Sequence, residues 1–227
     1  MIPPMGTMVF SRHDSSRLPG KALRPIGGMP LLERVIRRAQ LLPWTVYLAT
    51  TEASSDDQLC SLAGSLGVPV FRGPRDQVLE RAVLATEAFG LAAFARLCGD
   101  RPLFPLDQLR TAMEIMSASA DGMPDLVTDY IPGRTIRGLT TEVVRADTLR
   151  RIQNGGVSAD QQEHLTMYFY DHPDRFRIER LPPPDAVYRC PGFAVDTEAD
   201  LIALQRIFAG DQSVGMSVAE ADRRYQP

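Results

Sequence analysis

The stretch MGTMVFSRHDSSRLPGK, residues 5–21, decides the fold. Its first seven residues are short and almost wholly apolar, the pattern of a buried strand without a polar face. The next nine, RHDSSRLPG, are polar and rich in breakers, which reads as a loop. In a parallel α/β sheet, ligands bind at the carboxyl ends of the strands, and this loop lies at such an end. It offers backbone N–H groups, the hydroxyls of Ser15 and Ser16, the guanidiniums of Arg12 and Arg17, and the ammonium of Lys21. Such a set suits a polyphosphate, whose charge must be met by fixed donors. The loop is not a Walker A sequence, because Ala22 follows Lys21 and Ser15 stands where the first glycine would be, and it carries no GxGxxG. A solvated polar turn with its arginines in water is the competing reading.

Outward from this loop, strand and helix patterns alternate. Residues 30–41 place Leu31, Leu32, Val35, Ile36 and Ala39 at helical spacing, with arginines on the other face. Residues 44–50 read as a strand. Ser54 or Ser55 can cap a helix carrying Leu59, Leu62, Ala63 and Leu66, which Gly67 ends. Residues 68–71 read as a strand, 76–89 as a helix and 91–98 as a strand. The alternation predicts an α/β fold of three layers, a mostly parallel mixed sheet with helices on both faces. The second half is less regular. Helices are predicted over 106–119, 146–152, 159–170 and 197–208. Strands are predicted over 125–128, 176–181 and 190–195, extended chain over 135–144, and a stiff connection at prolines 182–184. One domain spanning 1–227 is expected, with residues of about 129–190 as an excursion over the active edge of the sheet. Two prolines in the first four residues leave Met1 or Met5 open as the native start.

Composition narrows the function. The chain has 227 residues, 44% of them hydrophobic, and a net charge of −3. That balance gives no positive field to attract nucleic acid. No apolar run approaches the ~18 residues needed to cross a bilayer, and no signal peptide is apparent, so a cytoplasmic protein is expected. Cys60, Cys98 and Cys190 form no CxxC pair and read as small buried hydrophobes in a reducing compartment. Lysine occurs once, as Lys21, in a chain that otherwise uses arginine. A compact ammonium does not replace a planar fork at a phosphate, so this one lysine reads as chosen.

Asp100 follows a buried strand and a glycine, and Asp196 stands between a predicted strand and a helix. Both fall on the same rim of a parallel sheet, where two carboxylates can hold Mg²⁺ together with substrate phosphates. A helix cap at Asp196 and a turn aspartate at Asp100 are the plainer readings.

A resemblance adds to these readings. SSRLPGKAL at 15–23, GMPLL at 28–32 and RVIRR at 34–38 are similar to the cytidylyltransferases. FRG at 71–73 with DQVLER at 76–81, GDRPL at 99–103, and RGL at 137–139 with Glu142 and Val143 follow in the family's order. EHLT at 163–166 and VDT at 195–197 with Asp200 and Leu201 complete it. The chain resembles most the group of the spore coat polysaccharide biosynthesis protein F, related to acylneuraminate and 3-deoxy-manno-octulosonate cytidylyltransferases. The resemblance implies a Rossmann-like nucleotidyltransferase fold, and transfer of CMP from CTP to an acidic or phosphorylated sugar-like acceptor with release of pyrophosphate. The setting implied is surface polysaccharide biosynthesis. It implies Mg²⁺ on Asp100 and Asp196, and catalytic roles for Lys21, Arg12 and Asp100. Nucleotide contacts would come from Arg12, Ser15, Ser16, Arg17, Lys21, Arg72, Asp76 and Arg81. Acceptor contacts would come from Arg137, Glu142, Glu163 and His164, with Arg134 near them. Relatives of this kind are often homodimers. The chain departs from the family pattern at Ser11, Asp14, Gln77 and Met167.

Two other classes compete. A glycosyltransferase of related fold would carry a DxD-type pair after the fourth strand, where this chain has Asp100 followed by Arg101. A non-catalytic nucleotide-binding module would have lost Lys21, Asp100 or Asp196, and all three are present.

Overall fold

In the computed structural model, residues 3–118, 122–182 and 187–226 are described. Strand β1 (Met5–Phe10) is followed by a single 3₁₀ turn at Lys21–Leu23 and a short hairpin, β2 (Pro25–Ile26) with β3 (Met29–Pro30). Then come α1 (Leu31–Ala39), β4 (Val46–Thr51), α2 (Asp57–Ser65), β5 (Val70–Gly73), α3 (Val78–Phe89) and β6 (Ala93–Cys98). The second half holds α4 (Leu106–Ala118), β7 (Leu126–Thr128), β8 (Glu142–Arg145) and α5 (Ala146–Asn154). It ends with α6 (Ala159–Glu163), α7 (Met167–Asp171), β9 (Ile178–Arg180), α8 (Glu198–Ile207) and α9 (Val218–Arg224).

Seven strands form one sheet in the order β5-β4-β1-β6-β8-β7-β9. The β5-β4-β1-β6 half is parallel, β8 runs antiparallel to both β6 and β7, and β9 is parallel to β7. The fold class read from the sequence is therefore the observed one. Apolar residues of α1, α2, α4 and α8 fill one face of the sheet, and those of α3, α5 and α7 the other. Residues 129–190 supply β8 and β9 to the sheet itself, while α6 and the turn after it carry Glu163 and His164.

Several expectations are corrected. Residues 190–195 are not a strand. The Phe193 N–H goes to the Arg137 carbonyl and the Val195 N–H to the Asp100 carbonyl, so no single neighbour offers a ladder. The helix expected over 159–170 is two short ones, because His164 leaves the helical region at φ −104°, ψ 83°. Only Glu142–Arg145 of the extended stretch joins the sheet. The cap of α2 is Asp56 rather than Ser54 or Ser55, and its carboxylate is used elsewhere. The arginines of α1 are not all on a solvent face, since Arg34 and Arg38 are 0% and 2% exposed. Their N–H groups are spent on carbonyls of Ile26, Gly27, Asp211 and Ser213, and of Phe104, Val214 and Met216. Hairpin β2–β3 and helix α9 were not anticipated. Position 119 of the predicted fourth helix, 183–184 of the predicted stiff connection and the first two residues lie outside the described residues.

Candidate active site

The carboxyl ends of β1 and β6 lie side by side, joined by a Gly99 N–H bond to the Phe10 carbonyl at 2.8 Å. Gly99 is needed there, because a Cβ on it would meet Ser11 Oγ at 2.7 Å. The loop after β1 folds back over this edge. The Gly20 N–H bonds the His13 carbonyl at 3.0 Å, and the His13 N–H bonds Asp56 Oδ1 at 2.7 Å. Asp56 Oδ2 also accepts from Thr50 Oγ1 at 2.7 Å, and from the Thr51 N–H and hydroxyl at 2.9 and 2.5 Å. Burial alone would raise the Asp56 pKa, but these hydrogen bonds outweigh it and hold the group below the ordinary carboxylate value. Asp56 thus fixes the loop to β4, a role that its place at a helix start does not announce.

Between the loop and the sheet lies a cavity of about 290 Å³. Its walls include Arg12, Ser15, Ser16, Arg17, Lys21, Arg81, Arg96, Asp100, Glu163, His164 and Asp196. Five cationic side chains face three carboxylates, an excess of two positive charges in a site that suits anions. Lys21 is central. Its ammonium, on a side chain 13% exposed, donates to Asp100 Oδ2 and to the Val195 carbonyl at 2.6 Å each, and to Asp196 Oδ1 at 3.3 Å. The turn that aims it begins with Gly20 at φ 70°.

Asp196 is not the cap of α8. That role belongs to Thr197, whose hydroxyl accepts from the Asp200 N–H, while the Asp200 side chain accepts from the Thr197 N–H at 2.8 Å. The Asp196 carboxylate is left to its cations, with Arg17 at 3.3 Å and Arg137 at 3.0 Å beside Lys21. Burial would raise its pKa, but the Lys21 charge and the hydrogen bond from Arg137 outweigh burial and hold it low. Arg137 itself is clamped by Asp200 at 2.5 and 3.2 Å. The backbone at Gly138 (φ 94°) packs so closely that a Cβ there would lie 2.5 Å from the Phe193 carbonyl carbon.

The structure brings most of the sequence-derived residues together, but not all. Arg12 lines the cavity and lies 3.4 Å from Asp76 and 3.7 Å from Glu163. Asp76 stays exposed at the rim, and the cap of α3 is Gln77. Arg81 is buried against the carbonyls of Pro74 and Arg75, and burial lowers its pKa to about 10. Arg72 points away, to the carbonyls of Thr51 and Ala53 and to Asp57. Arg134 is exposed and away from the cavity walls, and Glu142 is buried beneath them. Sequence reasoning missed Arg96, Cys98 and Val78 as wall residues. It also missed Asp200 as the partner of Arg137, although an acid three residues after a cap threonine was a visible signal.

Among the described residues, no helix is long and apolar enough to cross a membrane. Comparison with known proteins gives the assignment. The family model described as Cytidylyltransferase matches residues 7–200. The spore coat polysaccharide biosynthesis protein SpsF of Bacillus subtilis (strain 168) is 31% identical over 210 residues, spanning 88% of this chain and 85% of that protein. A cytidylyltransferase from Leptospira borgpetersenii serovar Hardjo-bovis superposes with a TM-score of 0.87 at 23% identity, covering 96% of this chain and 92% of that one. A CMP:2-keto-3-deoxy-manno-octonic acid synthetase solved with CTP superposes at 0.67 and 18% identity, covering 90% of this chain and 98% of that one. The last two share the fold, while the family match and the sequence relative carry the conclusion that this chain belongs to the cytidylyltransferase family.

Proposed function

We propose that the chain transfers CMP from CTP to an acidic or phosphorylated sugar-like acceptor and releases pyrophosphate. The observation that carries this reading is the meeting of Lys21, Asp100 and Asp196 under the loop that bears Arg12, Ser15, Ser16 and Arg17. The CTP held by the octonic acid synthetase of the same fold supports the choice of nucleotide. The spore coat relative supports a place in surface polysaccharide synthesis.

Asp100 Oδ2 and Asp196 Oδ1 turn towards one point, occupied by the Lys21 ammonium at 2.6 and 3.3 Å. Two carboxylate oxygens directed at one cationic point fit Mg²⁺, which takes its remaining ligands from water and phosphate. Among the described residues, no group of three or more His, Cys, Asp or Glu side chains forms a fuller cage. Asp100 and Asp196 are therefore the residues that would hold the ion, the Lys21 ammonium then turning from them to the phosphates. Held by Asp100 and Asp196, Mg²⁺ would supply Lewis-acid stabilisation of the negative charge that develops on the phosphates. Lys21 and Arg12 would neutralise the triphosphate and the departing pyrophosphate, and Ser15, Ser16 and Arg17 would orient it. The acceptor oxygen would attack the α-phosphorus in line with that leaving group, with Glu163 and His164 on the acceptor side.

The test is pyrophosphate release by the purified chain with Mg²⁺ and each of the four nucleoside triphosphates, across a panel of sugar acids and sugar phosphates. Release with CTP, lost in Lys21→Ala and in Asp100→Ala, is expected. Release with another triphosphate in preference to CTP would contradict the nucleotide assignment.

A further inference from the structure

Two cavity arginines have no part in the mechanism above: Arg81, which is held by the carbonyls of Pro74 and Arg75, and Arg96. Arg96 sits in the middle of β6, with Phe94 and Cys98 on the same face of the strand. The register pairs Ala95 with Val143, so Arg96 lies opposite Glu142 of β8. Its NH1 donates to Glu142 Oε2 at 2.5 Å. Glu142 Oε1 accepts from the Tyr170 hydroxyl of α7 at 2.7 Å, and that hydroxyl lies 3.1 Å from Thr128 Oγ1 of β7. The guanidinium is thus held by Glu142 at the wall of the cavity that Glu163 and His164 also line.

Its hydrogen bonding sets it apart from the two buried arginines of α1. Arg34 and Arg38 have every nitrogen group directed at backbone carbonyls or packed on a ring. Arg96 has one acceptor, Glu142, which takes NH1, while NH2 makes no hydrogen bond among the described residues; its Nε, like those of Arg81 and Arg145, is buried without a partner. An unpaired guanidinium NH2 on the wall of a cavity is free to take an acceptor from a ligand. Burial disfavours its charge, but the neighbouring Cys98 and Glu142 outweigh burial and keep it cationic.

We propose that Arg96 reads the anionic group of the acceptor, its guanidinium presented to the cavity by Glu142 and taking a carboxylate or phosphate. This rests on the transferase reading and names the residue that sets its acceptor class. Glu142 and Tyr170 are positioning residues. They sit beneath the cavity and orient the fork without touching the ligand.

The test uses calorimetry on the full chain, with 3-deoxy-manno-octulosonate as a carboxylate probe and glucose 1-phosphate as a phosphate probe. Each is titrated with and without Mg²⁺ and α,β-methylene-CTP. Arg96→Met alone would leave Glu142 buried and unpaired, so the double variant Arg96→Met/Glu142→Gln is used beside Arg96→Lys, which keeps the ion pair but loses the fork. Wild type is expected to bind at least one probe. Both variants should bind that probe about ten- to a hundredfold more weakly, the usual worth of a charged hydrogen bond. Affinity for the CTP analogue should stay within about twofold, and the affected probe identifies carboxylate or phosphate. Equal weakening of the CTP analogue would assign Arg96 to the triphosphate and overturn the proposal. Unchanged probe affinity in the variants, or binding of neither probe by wild type, would overturn it too. Probe binding without nucleotide separates the two readings: Arg96-dependent binding in a chain that never releases pyrophosphate keeps this inference and removes the transferase.

Discussion

Lys21 lies between two carboxylates and a carbonyl, on a side chain that is mostly buried. Removing one such preorganised charge typically lowers turnover by ~10²–10³. Lys21→Ala should therefore lose about that factor in kcat/KM for pyrophosphate release. Lys21→Arg should not restore it, because a planar fork does not fit a slot shaped for a compact ammonium. Steady-state kinetics checks both. Asp56 makes a pH prediction. Its folded pKa lies below the unfolded one, so its stabilisation is complete above the ordinary value of about 4 and drains as pH falls through the folded value. Asp56→Asn should lower the urea midpoint at neutral pH and flatten its fall on acidification. An unchanged acid limb would show that the carboxylate is not the anchor. These residues were unequally legible. Lys21 is the one lysine of the chain, and Asp100 and Asp196 follow buried segments, where side chains reach a ligand by topology. Arg96 was missed because an arginine inside a strand gives no local sign of facing a cavity, and Asp56 because a helix-start acid already has an ordinary explanation.

At the scale of elements, the first half of the fold was legible because each strand is a short apolar run and each helix repeats its apolar face at 3.6 residues. The second half was not. Segment 190–195 is as apolar as a strand but divides its hydrogen bonds between Arg137 and Asp100, a tertiary choice that no local pattern records. Arg34 and Arg38 repeat at the helical interval of a solvent face, yet they clamp the 211–216 chain through its carbonyls. Arg38→Leu leaves three carbonyls without their donor. It should cost about 2–4 kcal/mol of stability by urea unfolding, at ~1–3 kcal/mol per orphaned group less partial rehydration, with kcat/KM of the folded protein nearly unchanged. Helix α8 carries a finer test. Thr197→Ala removes the cap and one hydrogen bond to Asp200 but leaves the Arg137–Asp200 pair, and should cost ~1 kcal/mol. Asp200→Ala removes the cap's partner and also frees Arg137, so it should lower kcat/KM as well. If the two variants match in activity, the Arg137–Asp200 clamp has no catalytic consequence.

For the whole molecule, the sheet order places β1 between β4 and β6, so the loops after all three converge on one edge. On the proposed reading, nucleotide-side residues come from the loop after β1, carboxylates from the segments after β6 and before α8, and acceptor-side residues from α6, the turn after it and β6. That division supports a transfer between two substrates rather than hydrolysis of one. The most direct measurement follows the label from CTP. With Mg²⁺ and a sugar acid that supports pyrophosphate release, [α-³²P]CTP should pass its label into a CMP–sugar product and [γ-³²P]CTP should deliver its label to pyrophosphate. Label from the α position recovered as free CMP regardless of acceptor, or from the γ position as inorganic phosphate, would contradict the account.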